Sequence, residues 1–157
     1  MTKEERSLII IKPDAIQRSL LGQIIHRFER KGLRIIGLKM VKLGDVLIEE
    51  HYGQYKDRPF FDSLKRYMTS APVALIVLSG INAIKAIRLI VGPTKGYEAD
   101  AGSIRGDFAL SGQSNVVHAS DSLETAMVEI ERFFSEVELQ EYEKPEYPYM
   151  YADDEKV

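Results

Sequence analysis

The segment NVVHASDS, residues 115–122, concentrates chemically capable side chains in one place. His118 closes a short apolar run and is followed by hydroxyl and carboxylate residues. Three roles are open to such a histidine: nucleophile, metal ligand, or hydrogen-bonded structural group. The metal role lacks partners. The chain has three histidines (His26, His51 and His118) and no cysteine, and their spacing matches no common zinc pattern. Glu129 lies on the helix expected to follow. If that carboxylate faces back toward the strand, it holds one ring N–H and leaves the other nitrogen free to attack. Composition alone makes the same glutamate a solvent-facing helix residue.

A second group of residues suits phosphate. Arg88, in RLIVGPT, falls late on an expected helix, and Arg105, in GSIRGDF, sits in a glycine-rich stretch. The arginine fork matches phosphate oxygens in a bidentate way. Thr94 adds a hydroxyl, and the glycines let backbone N–H groups approach an anion. Neither GxxxxGK[ST] nor GxGxxG occurs. Taken alone, arginines in a loop are ordinary surface residues. Lys12, in IIKPD, falls where the first strand should end, a position open both to a functional loop and to a lysine that merely snorkels. DRPFF supplies Phe60 and Phe61, one for the core and one free to stack on a base, and periodicity does not separate them.

The elements that must position these groups follow from pattern. SLIIIK reads as a buried strand that Pro13 stops. A helix over about 21–31 carries Ile24, Ile25 and Phe28 on one face and ends at Gly32. A strand over about 34–43 is interrupted by Lys39 and Lys42 on opposite phases, which predicts an outer, irregular strand. Asp45 caps a helix to about Tyr52, and a short helix follows with Phe61, Leu64, Lys65 and Met68 in register. VALIVLSG is the expected central strand. Asn82 caps a helix over 83–91 that Gly92-Pro93 ends. Residues 93–115 read as a long functional loop. VVHAS is a short fourth strand. Asp121 and Glu124 resemble a capping box for a helix whose core stripe is Leu123, Ala126, Met127, Ile130 and Phe133. This order is a βαββαβ core. We expect an α/β sandwich with one four-stranded sheet, helices on one face, and the first and third strands parallel at its centre.

The 157 residues suit one domain over 1–157, and 45% hydrophobic residues suffice for a substantial core. The net charge of -3 is uneven. Residues 138–157 hold seven acidic residues against two lysines, which leaves the body slightly basic and able to draw anions. This proline-broken acidic tail is not expected to form a core element, although Tyr147, Tyr149 and Tyr151 can dock. No basic tract suggests a nucleic-acid surface. The first residues lack the form of a signal peptide, and no apolar run approaches membrane-spanning length. The expectation is a cytoplasmic protein.

Six motifs in order (IIKPDA, HYGQYKDRPFF, SAPVALIVLSG, RLIVGPT, GSIRGDF and NVVHASDS) make the chain similar to the nucleoside diphosphate kinase family over about residues 5–134. The resemblance implies a ferredoxin-like fold with an antiparallel sheet, and transfer of a γ-phosphoryl group between nucleotides through phosphohistidine at His118. It makes Glu129 the orienting carboxylate, Ser120 the hydroxyl beside that pair, and Tyr52 a neighbour of the reacting centre. It assigns Arg88 and Thr94 to the β-phosphate and Arg105 to the transferred group. Lys12 and Asn115 go to sugar hydroxyls, with Lys12 also reaching phosphate. Phe60 goes to the base, with Leu64 nearby. It further implies Mg²⁺ held by nucleotide phosphates and water, and a homo-oligomer, hexameric or tetrameric. The chain departs from the family pattern at Gly96, Ala101, Ser103, Ala119 and the pair Gly112-Gln113.

Overall fold

The computed structural model describes residues 4–156. Four strands form one sheet: β1 (Glu4–Ile11), β2 (Arg34–Val41), β3 (Val73–Ile81) and β4 (Val117–Ala119), in the order β2-β3-β1-β4. Every neighbouring pair is antiparallel. The central strands are the first and third, but they run antiparallel, against expectation. The physical reason is the crossover. A helical connection returns the chain so that β2 runs parallel to β1 one strand away. β3 then turns back antiparallel into the gap between them.

Seven α-helices are described: α1 (Pro13–Gln17), α2 (Leu21–Lys31), α3 (Asp45–His51), α4 (Phe61–Met68), α5 (Ala83–Val91), α6 (Ile104–Phe108) and α7 (Leu123–Phe133). They cover both faces of the sheet rather than one. The alternation of strand β1 decides this. Ile9 and Ile11 pack with Ile24, Phe28 and Ile87 on one side, while Leu8 and Ile10 pack with Ile48, Met68 and Ile130 on the other. Every residue of β3 is buried, as a central strand covered twice requires. A buried aliphatic side chain contributes about 1.5–3 kcal/mol, so this double layer is the main stabilising feature.

Several local expectations change. Pro13 stops β1 but also opens α1, because the first turn of a helix does not use its N–H. β2 ends at Val41 and is an edge strand with a register shift between Ile35 and Gly37, the irregularity its lysines suggested. The cap position of α3 is Gly44, with Asp45 in the first turn, and Asn82 stands at the start of α5 without a side-chain capping bond. The stretch 93–115 is not all loop: it contains α6, whose cap Ser103 accepts from Gly106 N–H at 3.0 Å. Gly96 lies so close to this segment that a Cβ would sit 2.3 Å from the Ala109 carbonyl oxygen. The residue at 96 is therefore fixed by backbone packing.

At α7 the cap is Ser122, accepting from Thr125 N–H at 3.1 Å, rather than the Asp121–Glu124 pair. Leu123 and Met127 are exposed, and the buried stripe is Ala126, Glu129, Ile130 and Phe133. The tail lies along the sheet edge. Gln140 N–H donates to Ile36 O at 2.7 Å, Leu139 packs on the core, and the Tyr151 hydroxyl accepts from Ile81 N–H at 3.2 Å. Met150 sits over Gly32, whose φ of 103° ends α2.

Candidate active site

β4 is short, and the turn before it explains why His118 lies where it does. Val116 has φ 65°, and Val117 N–H donates to Asn115 O at 2.8 Å, closing a three-residue turn. A β-branched residue in this region costs on the order of 1–3 kcal/mol. Three groups hold it: Lys12 N–H donates to Val116 O at 2.9 Å, Asp14 Oδ2 accepts from Val116 N–H at 3.2 Å, and the Val116 side chain is fully buried. The Tyr67 hydroxyl in turn donates to Asp14 Oδ1. The turn sends Asn115 to one side and starts β4 on the other, paired with β1 so that His118 stands opposite Ile10.

His118 Nε2 lies 2.6 Å from Glu129 Oε2. A carboxylate accepts here, so the proton sits on Nε2 and Nδ1 keeps its lone pair. Nδ1 has no hydrogen-bond partner among the described residues. Glu129 Oε2 also accepts from Ser120 Oγ at 3.2 Å, and Ser120 Oγ accepts from Leu8 N–H at 3.1 Å. A relay of hydrogen bonds thus runs from the backbone of β1 to the imidazole. Glu129 occupies a core position of α7, in step with Ala126, Ile130 and Phe133. A carboxylate at such a position needs partners, and the histidine and serine are those partners.

A cleft of about 630 Å³ opens beside the ring. Lys12, Tyr52, Phe60, Leu64, Arg88, Thr94, Arg105, Asn115, His118 and Glu129 line it, while Ser120 lies behind. Lys12 Nζ donates to Asn115 Oδ1 at 2.7 Å. Burial, with the Arg105 charge adding to it, pushes its pKa down to about 7, against a smaller opposing pull from Asp14. Asn115 Nδ2 donates to Thr94 O and Gly112 O, tying the loop ends together. Arg105 is buried, and donates to Asn115 O, Gly92 O and Val117 O. Burial and the nearby Arg88 bring its pKa down to about 10. The guanidinium has five N–H groups, so two are left over from these three bonds. The Tyr52 hydroxyl is buried without a hydrogen-bond partner among the described residues. Burial and the Glu129 charge push its pKa up. The two phenylalanines separate here: Phe61 is in the core, whereas Phe60 is 45% exposed at the cleft.

His51, Asp14, Tyr67 and Arg132 join the site although the sequence pattern assigns them no role in it. The signal for Asp14 was the KPD turn, and that for His51 was its place beside Tyr52. His51, His118 and Glu129 offer ligand atoms within 4.8 Å of one another. Arg132 donates to His51 and Glu129 is engaged by His118, so the trio is already committed. Mg²⁺ prefers oxygen ligands, and the described residues give it no carboxylate cage.

A nucleophilic imidazole set by a buried carboxylate, facing a cleft walled by lysine and arginine, defines a phosphotransferase working through phosphohistidine. The family model described as nucleoside diphosphate kinase matches residues 5–139. A nucleoside diphosphate kinase of Parabacteroides distasonis is 46% identical over 151 residues, covering 96% of this chain and 99% of its own. One from Staphylothermus marinus is 51% identical over 135 residues, covering 86% and 96%. The solved structure of a halophilic nucleoside diphosphate kinase from Halobacterium salinarum in complex with CDP superposes with a TM-score of 0.92 at 36% identity, covering 95% of this chain and 99% of that one. The chain belongs to the nucleoside diphosphate kinase family. It is an enzyme that moves the γ-phosphoryl group of a nucleoside triphosphate to a nucleoside diphosphate by a ping-pong route through His118.

Proposed function

We propose that nucleoside di- and triphosphates enter this cleft with the base against Phe60 and Leu64 and the phosphates toward His118. The observation that carries the reading is the 2.6 Å bond between His118 Nε2 and Glu129, which reserves Nδ1 for attack. The lone pair of Nδ1 forms a bond to the γ-phosphorus, and the bond from that phosphorus to the bridging oxygen breaks. The diphosphate leaves with that electron pair. A terminal oxygen of a second nucleoside diphosphate then bonds to that phosphorus as the bond from Nδ1 to phosphorus breaks, and its electron pair returns to Nδ1. Arg88 and Thr94 hold the β-phosphate. Arg105 uses its two remaining donors on the transferred group. Lys12 and Asn115 hold the sugar hydroxyls, with Lys12 also reaching phosphate. The Tyr52 hydroxyl, a donor without a partner, turns to the reacting phosphoryl group. Ser120 and Glu129 fix the imidazole. The bound CDP of the Halobacterium salinarum relative supports nucleotide binding here.

Substrate arrives as its magnesium complex, with the metal held by phosphate and water, and screens charge on the phosphates. The fold is read as one domain over 1–157, with 138–157 as an acidic strap. The enzyme works in the cytoplasm as a homo-oligomer, hexameric or tetrameric. Exposed Leu38 and Met40 on β2, and Leu89 on α5, support self-association. Among the described residues no helix is long and apolar enough to cross a membrane. The test is labelled ATP followed by acid or alkali. An acid-labile, alkali-stable label that chases to added nucleoside diphosphate is expected. A label with the opposite stability would overturn the assignment.

A further inference from the structure

Beside His118, in the lining of the same cleft, lies a second imidazole that the transfer scheme does not use. His51 is the last residue of α3 and is buried. Its ring stands among three others, with centroids 4.5 Å from Tyr52, 5.0 Å from His118 and 5.3 Å from Phe133. The His118 ring meets it edge to face, at 85°. Arg132, in the last turn of α7, brings Nη1 to 2.9 Å from His51 Nδ1. A guanidinium only donates, so Nδ1 accepts and the hydrogen of a neutral ring sits on Nε2.

We propose that His51 is a positioning residue for the phosphotransfer site: Arg132 locks it as the neutral Nε2–H tautomer, and its ring forms the wall that sets the plane of His118. This rests on His118 as the nucleophile. The lock has an electrostatic side as well. A ring nitrogen of His51 lies within 4.8 Å of both His118 and Glu129. A positive charge there would compete with His118 for the carboxylate that orients it. The groups facing His51 are Glu50 and Tyr52 on its own segment, His118 on β4, Glu129 and Arg132 on α7, and Lys12 at the end of β1. Glu129 alone among the inner groups would favour a charged His51, and it is engaged by His118 and Ser120. Glu50 lies on the outer side, 3.5 Å from Arg132 Nε. Burial, His118, Arg132 and Lys12 all push the pKa of His51 down, to about 3. A neutral neighbour is thus built in, and the same guanidinium that fixes the tautomer also repels the second proton.

Two measurements on the full chain test this. The first is a multiple-bond proton–nitrogen spectrum of the wild-type imidazoles from pH 5.5 to 8.5. His51 is expected to remain an Nε2–H tautomer throughout. A titrating His51, or one protonated on Nδ1, overturns the proposal whatever the variants do. The second compares Arg132→Met and Arg132→Lys with wild type, by the same spectrum and by rapid-quench formation of acid-labile phosphoenzyme at pH 8. Arg132→Met should let His51 populate the Nδ1–H tautomer and should slow phosphorylation at least tenfold, because nothing then holds the ring. Arg132→Lys, which keeps a donor, should hold the Nε2–H tautomer and recover most of the rate. An unchanged tautomer and rate in Arg132→Met, or a lysine variant as slow as the methionine one, counts against the lock. Should wild type form no acid-labile phosphoenzyme, it is the nucleophile assignment that fails, and the spectrum still decides the tautomer.

Discussion

Replacing Glu129 with glutamine removes a charge and almost nothing else. Both hydrogen bonds that Glu129 receives, from His118 Nε2 and Ser120 Oγ, end on the same oxygen, Oε2. A glutamine can put its carbonyl oxygen there and keep both. What disappears is the attraction between a carboxylate and an imidazole ring that becomes positive as Nδ1 bonds to phosphorus. A charge-assisted hydrogen bond exceeds a neutral one by about 1–1.5 kcal/mol. Two unit charges about 4 Å apart at an effective dielectric constant of about 20 attract by about 4 kcal/mol. These bracket the loss in the transition state. At about 1.4 kcal/mol per factor of ten, phosphorylation should slow by about ten- to a thousandfold. Nucleotide affinity should change by less than about threefold, because the residue addresses the ring. Single-turnover phosphorylation by ATP, beside an equilibrium titration of nucleoside diphosphate, separates the two effects. An unchanged transfer step with weakened binding would refute the role of Glu129 as the partner of His118.

Other expected outcomes follow from the same geometry. His118→Ala should lose transfer by orders of magnitude with an unchanged circular dichroism spectrum, and near-normal turnover would sink the nucleophile assignment. Lys12 has a folded pKa of about 7 against an ordinary 10.5. Between these values the folded, ligand-free chain binds fewer protons than the unfolded one, so this group's contribution to stability rises with pH across that window. A bound phosphate restores the charge. Calorimetric titration of nucleotide at pH 8 in buffers of different ionisation enthalpy should therefore show proton uptake that Lys12→Met lacks. No uptake in wild type would refute the burial argument. Truncation after Phe134 removes Leu139 and the bonds to Ile36 and Ile81. Packing of one leucine and a few hydrogen bonds amount to about 3–4 kcal/mol, or a Tm lower by about 6–16 °C at about 2–4 °C per kcal/mol. An unchanged Tm would make the tail a solvated surface. Sedimentation equilibrium of the full chain should give a closed oligomer, and a monomer at micromolar concentration would contradict that expectation.

The sequence by itself determined the element order and most of the cleft's membership. The run Leu8–Ile11, rich in branched residues and stopped by Pro13, reads as a buried strand, the 3.6 periodicity of 21–31 and 83–91 gives helices at those bounds, and Gly92-Pro93 ends one of them. These are local signals, set by propensity and by the backbone freedom of single residues. Motif order carried the family, and with it the positions of Lys12, Arg88, Arg105 and His118. Tertiary structure decided what depends on residues far apart in the chain. The direction of β3 against β1, and the helices on both faces, follow from how crossovers close. By composition Glu129 read as a solvent-facing helix residue, and only the burial of α7 against β1 makes it a core carboxylate bonded to His118. Val116 gives no sequence sign of a positive φ, since a branched residue argues against it. The Lys12 and Asp14 bonds hold it there from about a hundred residues away. His51 looked like one histidine in a helix end, and its tautomer exists only because Arg132, on the last helix of the sandwich, reaches its Nδ1. Periodicity records how each segment meets an average interior. It does not record which single atom waits on the other side.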